Sequence, residues 1–270
     1  MTLKEAEALL KCAGIEEARE EARIIFERLG DIPRYKLTDL SLSCEDARVK
    51  DAIERRCTRE PLGYILGEVD FYRESYEVSP ACLIPRADTE VLVDLAVRLI
   101  PEGELFLDLC TGSGCVAVST LKNTKNTTAV AIDISPAAIE IAKRNAEKNG
   151  VCERIEFREA DLFVSDLSEY RPFAILSNPP YVSSSAYEGL EGEIFFEPKI
   201  AFTSGEDGAD LLRRLVDICK KAIKPEGFFA FEIGYDQGDI MRSLGKIHGL
   251  SVEIIKDLGA RDRVALFKNK

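Results

Sequence analysis

Leu105-Phe106-Leu107-Asp108-Leu109-Cys110-Thr111-Gly112-Ser113-Gly114-Cys115-Val116 is the stretch that decides the architecture of this chain. Leu105–Leu109 reads as a strand, the next residues as a glycine turn, and Val116–Leu121 as the start of a helix. Glycines let the backbone turn sharply and bring its N–H groups close to a ligand. Downstream, the strand and helix periods keep alternating. Ala129–Ile132 reads as a strand, Pro136–Asn149 as a helix ended by Gly150, and Ile155–Glu159 and Phe173–Leu176 as strands. A helix over Leu211–Ile223 and a strand over Gly227–Ile233 follow. Val252–Leu258 and Arg263–Lys268 close the set, and the short turn Gly259–Asp262 makes that last pair antiparallel. Such alternation predicts a mostly parallel sheet with helices on both faces, an α/β fold.

In open sheets of this kind ligands bind beyond the carboxyl ends of the strands. Asp133 ends the second strand, about nineteen residues after the glycine loop, a position suited to binding ribose hydroxyls. Asp161 and Leu162 follow the third strand, where the carboxylate can accept from an adenine amino group. At the fourth strand Asn178-Pro179-Pro180-Tyr181 stops the chain, because proline donates no hydrogen bond and holds its own φ. That leaves a carboxamide, a Pro179 carbonyl and the Tyr181 ring on one rigid ledge, a set suited to holding a planar NH2 group. Alone, Asn-Pro is an ordinary turn. Gly112-Ser113-Gly114-Cys115-Val116-Ala117 alone also satisfies the loose dinucleotide pattern, so a nicotinamide dehydrogenase is a competing reading. Against it, Asp108 stands four residues before Gly112, where it could bind an ammonium, and no catalytic domain with a proton-transferring histidine follows.

Upstream the pattern is helical. Thr2 and Glu5 form a capping box for a first helix, a second carries Ala18, Ala22, Ile25 and Phe26, and Ser43 is expected to cap a third. Pro61–Gly67 breaks this pattern, and Glu68–Val78 alternates as a β-hairpin. The expected division is a helical bundle over residues 1–66, a hairpin linker over 67–82 and the α/β domain over 83–270. Asp88 or Thr89 is placed to cap the helix that begins the last of these.

Composition narrows the function. A net charge of −12 argues against stable nucleic-acid binding, which needs a cationic surplus. No long apolar run spans a membrane, and the charged start of the chain does not read as a signal peptide. The eight cysteines form no CxxC pair, so no metal site is expected, and they fit a reducing cytoplasm. The single histidine, His248, reads as a surface-loop residue, which leaves little room for a histidine-dependent triad.

Taken in order, the glycine loop, the two acidic strand ends and Asn-Pro-Pro-Tyr resemble the class I S-adenosylmethionine-dependent methyltransferases that modify planar amino or amide nitrogens. Further segments narrow the resemblance to the peptide chain release factor glutamine methyltransferases of the HemK/PrmC type. They are Pro61–Gly67, Leu83–Glu90 with Ile84-Pro85-Arg86, Ser177–Val182, Phe196-Glu197-Pro198, Gly234–Gly238 and Asp257–Arg263. The resemblance implies a Rossmann-like, seven-stranded, mostly parallel sheet and S-adenosyl-L-methionine bound by Asp108, Cys110, Thr111, Gly112, Ser113, Gly114, Asp133, Asp161, Leu162 and Asn178. It implies catalysis by Asn178, Pro179, Pro180 and Tyr181, substrate contacts from Arg86 and Glu197, and release factors as the protein substrate; a monomer in the cytoplasm is expected. Arg86 reads equally well as a partner of Asp88 or Glu90, and Glu197 as an ordinary loop carboxylate. Two departures stand out: Cys110 replaces the usual glycine before Thr-Gly, and Leu162 replaces an aromatic that some members place near adenine. Ribosomal-protein glutamine and adenine-N6 methyltransferases share much of the pattern and stay as alternatives.

Overall fold

The computed structural model describes residues 1–190 and 192–270. Its contacts divide the chain into two compact units, residues 1–69 with Gly192–Phe196, and residues 70–190 with 197–270.

The first unit is helical. Helices α1 (Leu3–Cys12), α2 (Ala18–Arg28), α3 (Ala47–Cys57) and α4 (Leu62–Leu66) enclose Leu3, Leu10, Ile25, Phe26 and Ile53. Thr2 and Glu5 make the reciprocal capping box, as the sequence predicts. Asp46, not Ser43, caps α3, its carboxylate accepting from the Arg48 N–H at 2.8 Å. Ser43 instead pairs with Thr2 in a β-bridge. Pro61–Gly67 is a helix rather than an interruption: Pro61 precedes its first turn and Gly67, at φ +76°, ends it. Arg56, 2% exposed, is held by Glu21 at 2.5 Å and Glu193 at 2.6 Å.

Strands β1 (Glu68–Phe71) and β2 (Glu74–Glu77) form the hairpin, and the division between the units falls inside β1. Within the second unit β2 is tied down by Asn145, whose amide bonds the Glu77 N–H and C=O and also the Ser113 carbonyl.

The second unit continues through α5 (Glu90–Leu99), β3 (Leu105–Leu109), α6 (Cys115–Asn123), β4 (Thr128–Asp133), α7 (Pro136–Lys148), β5 (Ile155–Glu159) and β6 (Ala174–Ser177). It ends with α8 (Ser184–Glu188), α9 (Asp210–Ala222), β7 (Phe228–Glu232), α10 (Gly238–His248), β8 (Leu250–Lys256) and β9 (Asp262–Asn269). The seven strands lie in the order β5-β4-β3-β6-β7-β9-β8. All pairings are parallel except those of β9, which runs antiparallel to both β7 and β8. Strands β6 and β7 are buried along their whole length, the expected state of central parallel strands covered on both faces. Helix α10 is absent from the sequence reading, because three glycines in 238–249 hide its apolar face of Met241 and Leu244. His248 is therefore the last residue of a helix, not a loop residue. Among the described residues no helix is long and apolar enough to cross a membrane.

The strand order fixes where a ligand can sit. Successive connections run outward from β3 to β4 and β5, then return to β6 on the other side of β3. This reversal opens a crevice at the carboxyl ends of β3 and β6.

Candidate active site

A pocket of about 290 Å³ occupies that crevice. Its walls come from the loop after β3, the ends of β4 and β5, Asn178 after β6, and the residues just before α5.

The loop after β3 is built from backbone geometry. Cys110, Gly112 and Gly114 have φ of +57°, +55° and +81°. For cysteine the left-handed region costs about 1–2 kcal/mol, so the substitution at the usual glycine position is accommodated with strain. Gly114 allows close packing: a Cβ there would lie 3.0 Å from the Ala142 Cβ. At Gly112 a Cβ would meet nothing within 4 Å, and the residue faces the pocket, so an added side chain would stand in ligand space.

Carboxylates hold this loop in shape. Asp108 Oδ2 accepts from Thr111 Oγ1 at 2.6 Å and from the Ala117 N–H at 3.2 Å. Its Oδ1 is buried with no partner among the described residues, and burial pushes the carboxyl up to about 7. Asp133 Oδ2 accepts from the Gly112 N–H at 2.8 Å and Oδ1 from the Ser135 N–H at 2.9 Å, while burial raises its pKa. Asp161 Oδ1 accepts from the Phe163 N–H at 2.8 Å.

Cys110, Thr111, Gly112, Ser113, Asp133, Asp161, Leu162 and Asn178 all line the pocket. Asp108 and Gly114 do not; they shape the loop from behind. Leu162 stands where some members carry an aromatic, and one follows directly: Phe163 also lines the pocket and is 54% exposed, whereas Leu162 is largely buried.

On the opposite wall Ser177 ties the end of β6 to β3, donating to the Leu109 carbonyl at 2.7 Å. Asn178 then projects at the pocket with Nδ2 3.1 Å from Thr89 Oγ1. Among the described residues nothing donates to the Pro179 carbonyl. Pro180 lines the pocket, whereas Tyr181 turns inward: its hydroxyl donates to Glu232 Oε1 at 3.1 Å. Gln237 braces the ledge from below, donating to the Tyr181 carbonyl at 3.0 Å and accepting from the Gly234 N–H at 2.9 Å.

Arg86 and Glu197 do not line the pocket, and Arg86 pairs with neither Asp88 nor Glu90. Glu197 is 4% exposed, accepts from the Ile84 N–H at 2.9 Å and pairs with Arg86. Asp88 instead pairs with Arg263 at 2.9 Å, and Glu90 accepts from the Tyr72 N–H at 2.8 Å. The Ile-Pro-Arg and Glu-Pro segments are thus two halves of one clamp that brings Pro85 and Pro198 to the pocket wall.

Thr89, Phe163, Ile200 and Glu232 are absent from the sequence reading of the site. Glu232 was legible by the rule that found Asp133, an acidic residue ending a parallel strand. Thr89 reads as a helix cap, yet in the structure it makes no capping bond.

Comparison with known proteins agrees with this architecture. Residues 88–200 match the methyltransferase small domain and residues 2–67 the PrmC N-terminal domain. The catalytic domain of hMettl16 in complex with an RNA hairpin shares the fold, with a TM-score of 0.58 at 12% identity over 72% of this chain and 75% of that one. A ribosomal protein L11 methylase from Lactobacillus delbrueckii gives a TM-score of 0.51 at 18% identity, covering 72% and 84%. The chain is 34% identical to the release factor glutamine methyltransferase of Moorella thermoacetica, covering 98% of both. It is 36% identical to that of Neisseria gonorrhoeae, covering 92% of both, and 37% identical to that of Geobacter sulfurreducens, covering 84% of this chain and 80% of that one. With this coverage, and with its helical unit and methyltransferase sheet both matched, the chain belongs to the release factor glutamine methyltransferase family.

Proposed function

We propose that this protein transfers a methyl group from S-adenosyl-L-methionine to the side-chain amide nitrogen of the glutamine in the Gly-Gly-Gln loop of peptide chain release factors, leaving S-adenosyl-L-homocysteine. The observation that carries this reading is Asn178, at the pocket wall, with its NH2 edge bonded to Thr89, which leaves Oδ1 as the edge open to an incoming donor. The pocket residues fit the cofactor. Thr111, Gly112 and Ser113 offer backbone to its methionine part, Asp133 a carboxylate to the ribose, and Asp161, Leu162 and Phe163 one polar and two apolar groups to the base.

Bound there, the cofactor supplies an electrophilic methyl group on a positively charged sulfur. An amide nitrogen is a weak nucleophile because its lone pair is delocalised into the carbonyl. Asn178 Oδ1 and the Pro179 carbonyl answer this by accepting its two N–H groups. They aim the nitrogen along the line of displacement and stabilise the positive charge that grows on it. No protein base is needed, since the proton can leave for solvent after the methyl group has moved. We further assign residues 1–66 to recognition of the protein substrate, with 67–82 as the linker to the catalytic residues 83–270. Residues 2–67 match the PrmC N-terminal domain, and this unit holds no catalytic constellation of its own among the described residues.

The test is the intact mass and peptide map of a release factor incubated with the protein and S-adenosylmethionine. One methyl group on the Gly-Gly-Gln glutamine is the expected outcome. An unmodified glutamine, with cofactor binding measured separately, would turn the search to ribosomal-protein glutamine and adenine acceptors.

A further inference from the structure

Behind Asn178 lies a chain of buried hydrogen bonds that the transfer reaction as described above does not use. Glu232 ends β7 and is 2% exposed; Thr89, just before α5, is 1% exposed. Thr89 Oγ1 donates to Glu232 Oε2 at 2.7 Å, and Tyr181 Oη donates to Oε1 at 3.1 Å. A threonine at a helix N-terminus ordinarily accepts from the first-turn N–H groups. Here that bond is forgone and the hydroxyl faces Glu232.

Donor and acceptor counting gives the chain a direction. A carboxylate only accepts, and a threonine hydroxyl has one proton. Once that proton points at Glu232, the oxygen can only accept from Asn178, which must present Nδ2 to it. Oδ1 is then the edge left for the pocket. With the Thr89 proton reversed, Asn178 would offer N–H to an incoming N–H, and the acceptor would be lost. Burial raises the Glu232 pKa; the two hydroxyl donors and the charge of Arg263 favour the carboxylate, and Asp88 opposes it. Arg263 is itself held by Asp88 at 2.9 Å and Asp257 at 3.1 Å.

We propose that the Glu232 carboxylate, acting through the Thr89 hydroxyl, fixes which edge of the Asn178 carboxamide faces the methyl-accepting group, making Thr89 and Glu232 positioning residues. Its catalytic consequence rests on the methyl-transfer reading above; the bond itself does not.

Thr89→Val keeps the shape and removes the hydroxyl. In the full-length protein without substrate, the Asn178 side-chain NH2 protons exchange slowly with solvent by NMR, and about tenfold or more faster in T89V. Equal exchange in both proteins overturns the proposal whatever the acceptor is. With release factor as acceptor, T89V lowers kcat about 30- to 100-fold, with cofactor Kd within about twofold, and Thr89→Ser recovers most of the loss. In a protein already carrying Asn178→Ala, adding T89V costs nothing further, because the relay acts only through Asn178. A kcat for T89V within about threefold of wild type, or a full extra loss on top of N178A, overturns it. Should wild type fail to methylate glutamine, the functional reading falls, and the exchange measurement still decides the relay.

Discussion

The two walls of the pocket are built by opposite means. On the glycine-loop wall the carboxylates that hold the loop bond close by in sequence: Asp108 to Thr111 spans 3 residues, Asp108 to Ala117 spans 9, and Asp133 to Gly112 spans 21. On the Asn-Pro-Pro-Tyr wall the bonds are remote: Tyr181 to Glu232 spans 51 residues, Asn178 to Thr89 spans 89, and Thr89 to Glu232 spans 143. A wall made of bonds close in sequence forms with its own strand–loop–helix–strand unit, β3 through β4. A wall made of remote bonds exists only once β6, β7 and the start of α5 are packed together. The first is a cradle whose damage is expected in cofactor binding and stability, and the second an aiming device whose damage is expected in turnover.

Asn178→Ala puts this contrast to its hardest test. It removes the acceptor aimed at the reacting nitrogen, so kcat should fall about 10²- to 10³-fold while cofactor Kd by calorimetry stays within about twofold. An equal loss in both would erase the distinction between the walls. Next in size is the pH dependence of the cradle. Asp108 has a folded pKa raised from 3.8 to about 7. Between those values the folded protein keeps a proton that the unfolded chain has lost, so stability falls as pH rises through that window. Asp108→Asn should flatten this slope, worth on the order of a few kcal/mol, in denaturant melts of the ligand-free protein from pH 4 to 8. An unchanged slope would show that the buried carboxyl is not its source.

Gly114→Ala sharpens the comparison from the same side. The added methyl meets Ala142 in a left-handed backbone, costing about 1–3 kcal/mol. Cofactor affinity should weaken by about tenfold or more while kcat at saturating cofactor holds nearly constant; a kcat defect of the same size would make the loop part of the aiming device. The smallest effect belongs to Cys110→Gly. Relief of about 1–2 kcal/mol of strain is partly offset by about 0.5–1 kcal/mol of added chain entropy. The melting temperature should therefore rise by a few degrees at most, with activity unchanged. A fall would mean that the Cys110 side chain packs for more than its backbone costs.

Most of the first wall was legible because its signals are contiguous. A strand, two glycines and an acidic residue at the next strand end follow from period and position, and Asp133 and Asp161 both reach the pocket. The same reading places Asp108 at the ligand, although its carboxylate turns back to Thr111 and Ala117, since a side chain in mid-strand cannot be aimed from spacing alone. It leaves Arg86 open between a substrate contact and a pair with Asp88 or Glu90, and the structure pairs it with Glu197, more than a hundred residues away. It makes Thr89 a cap, and the structure gives its hydroxyl to Glu232.

By itself the sequence determined the seven strands and the two prolines that end β6, because periodicity and proline sterics act within a few residues. It also determined the line of polar residues along one edge of the sheet, because every strand of a parallel sheet ends on the same side. Tertiary structure alone decided what those residues face. Hydrogen-bond direction depends on which buried donor meets which acceptor, and those partners become neighbours only when strands far apart in the chain are laid side by side.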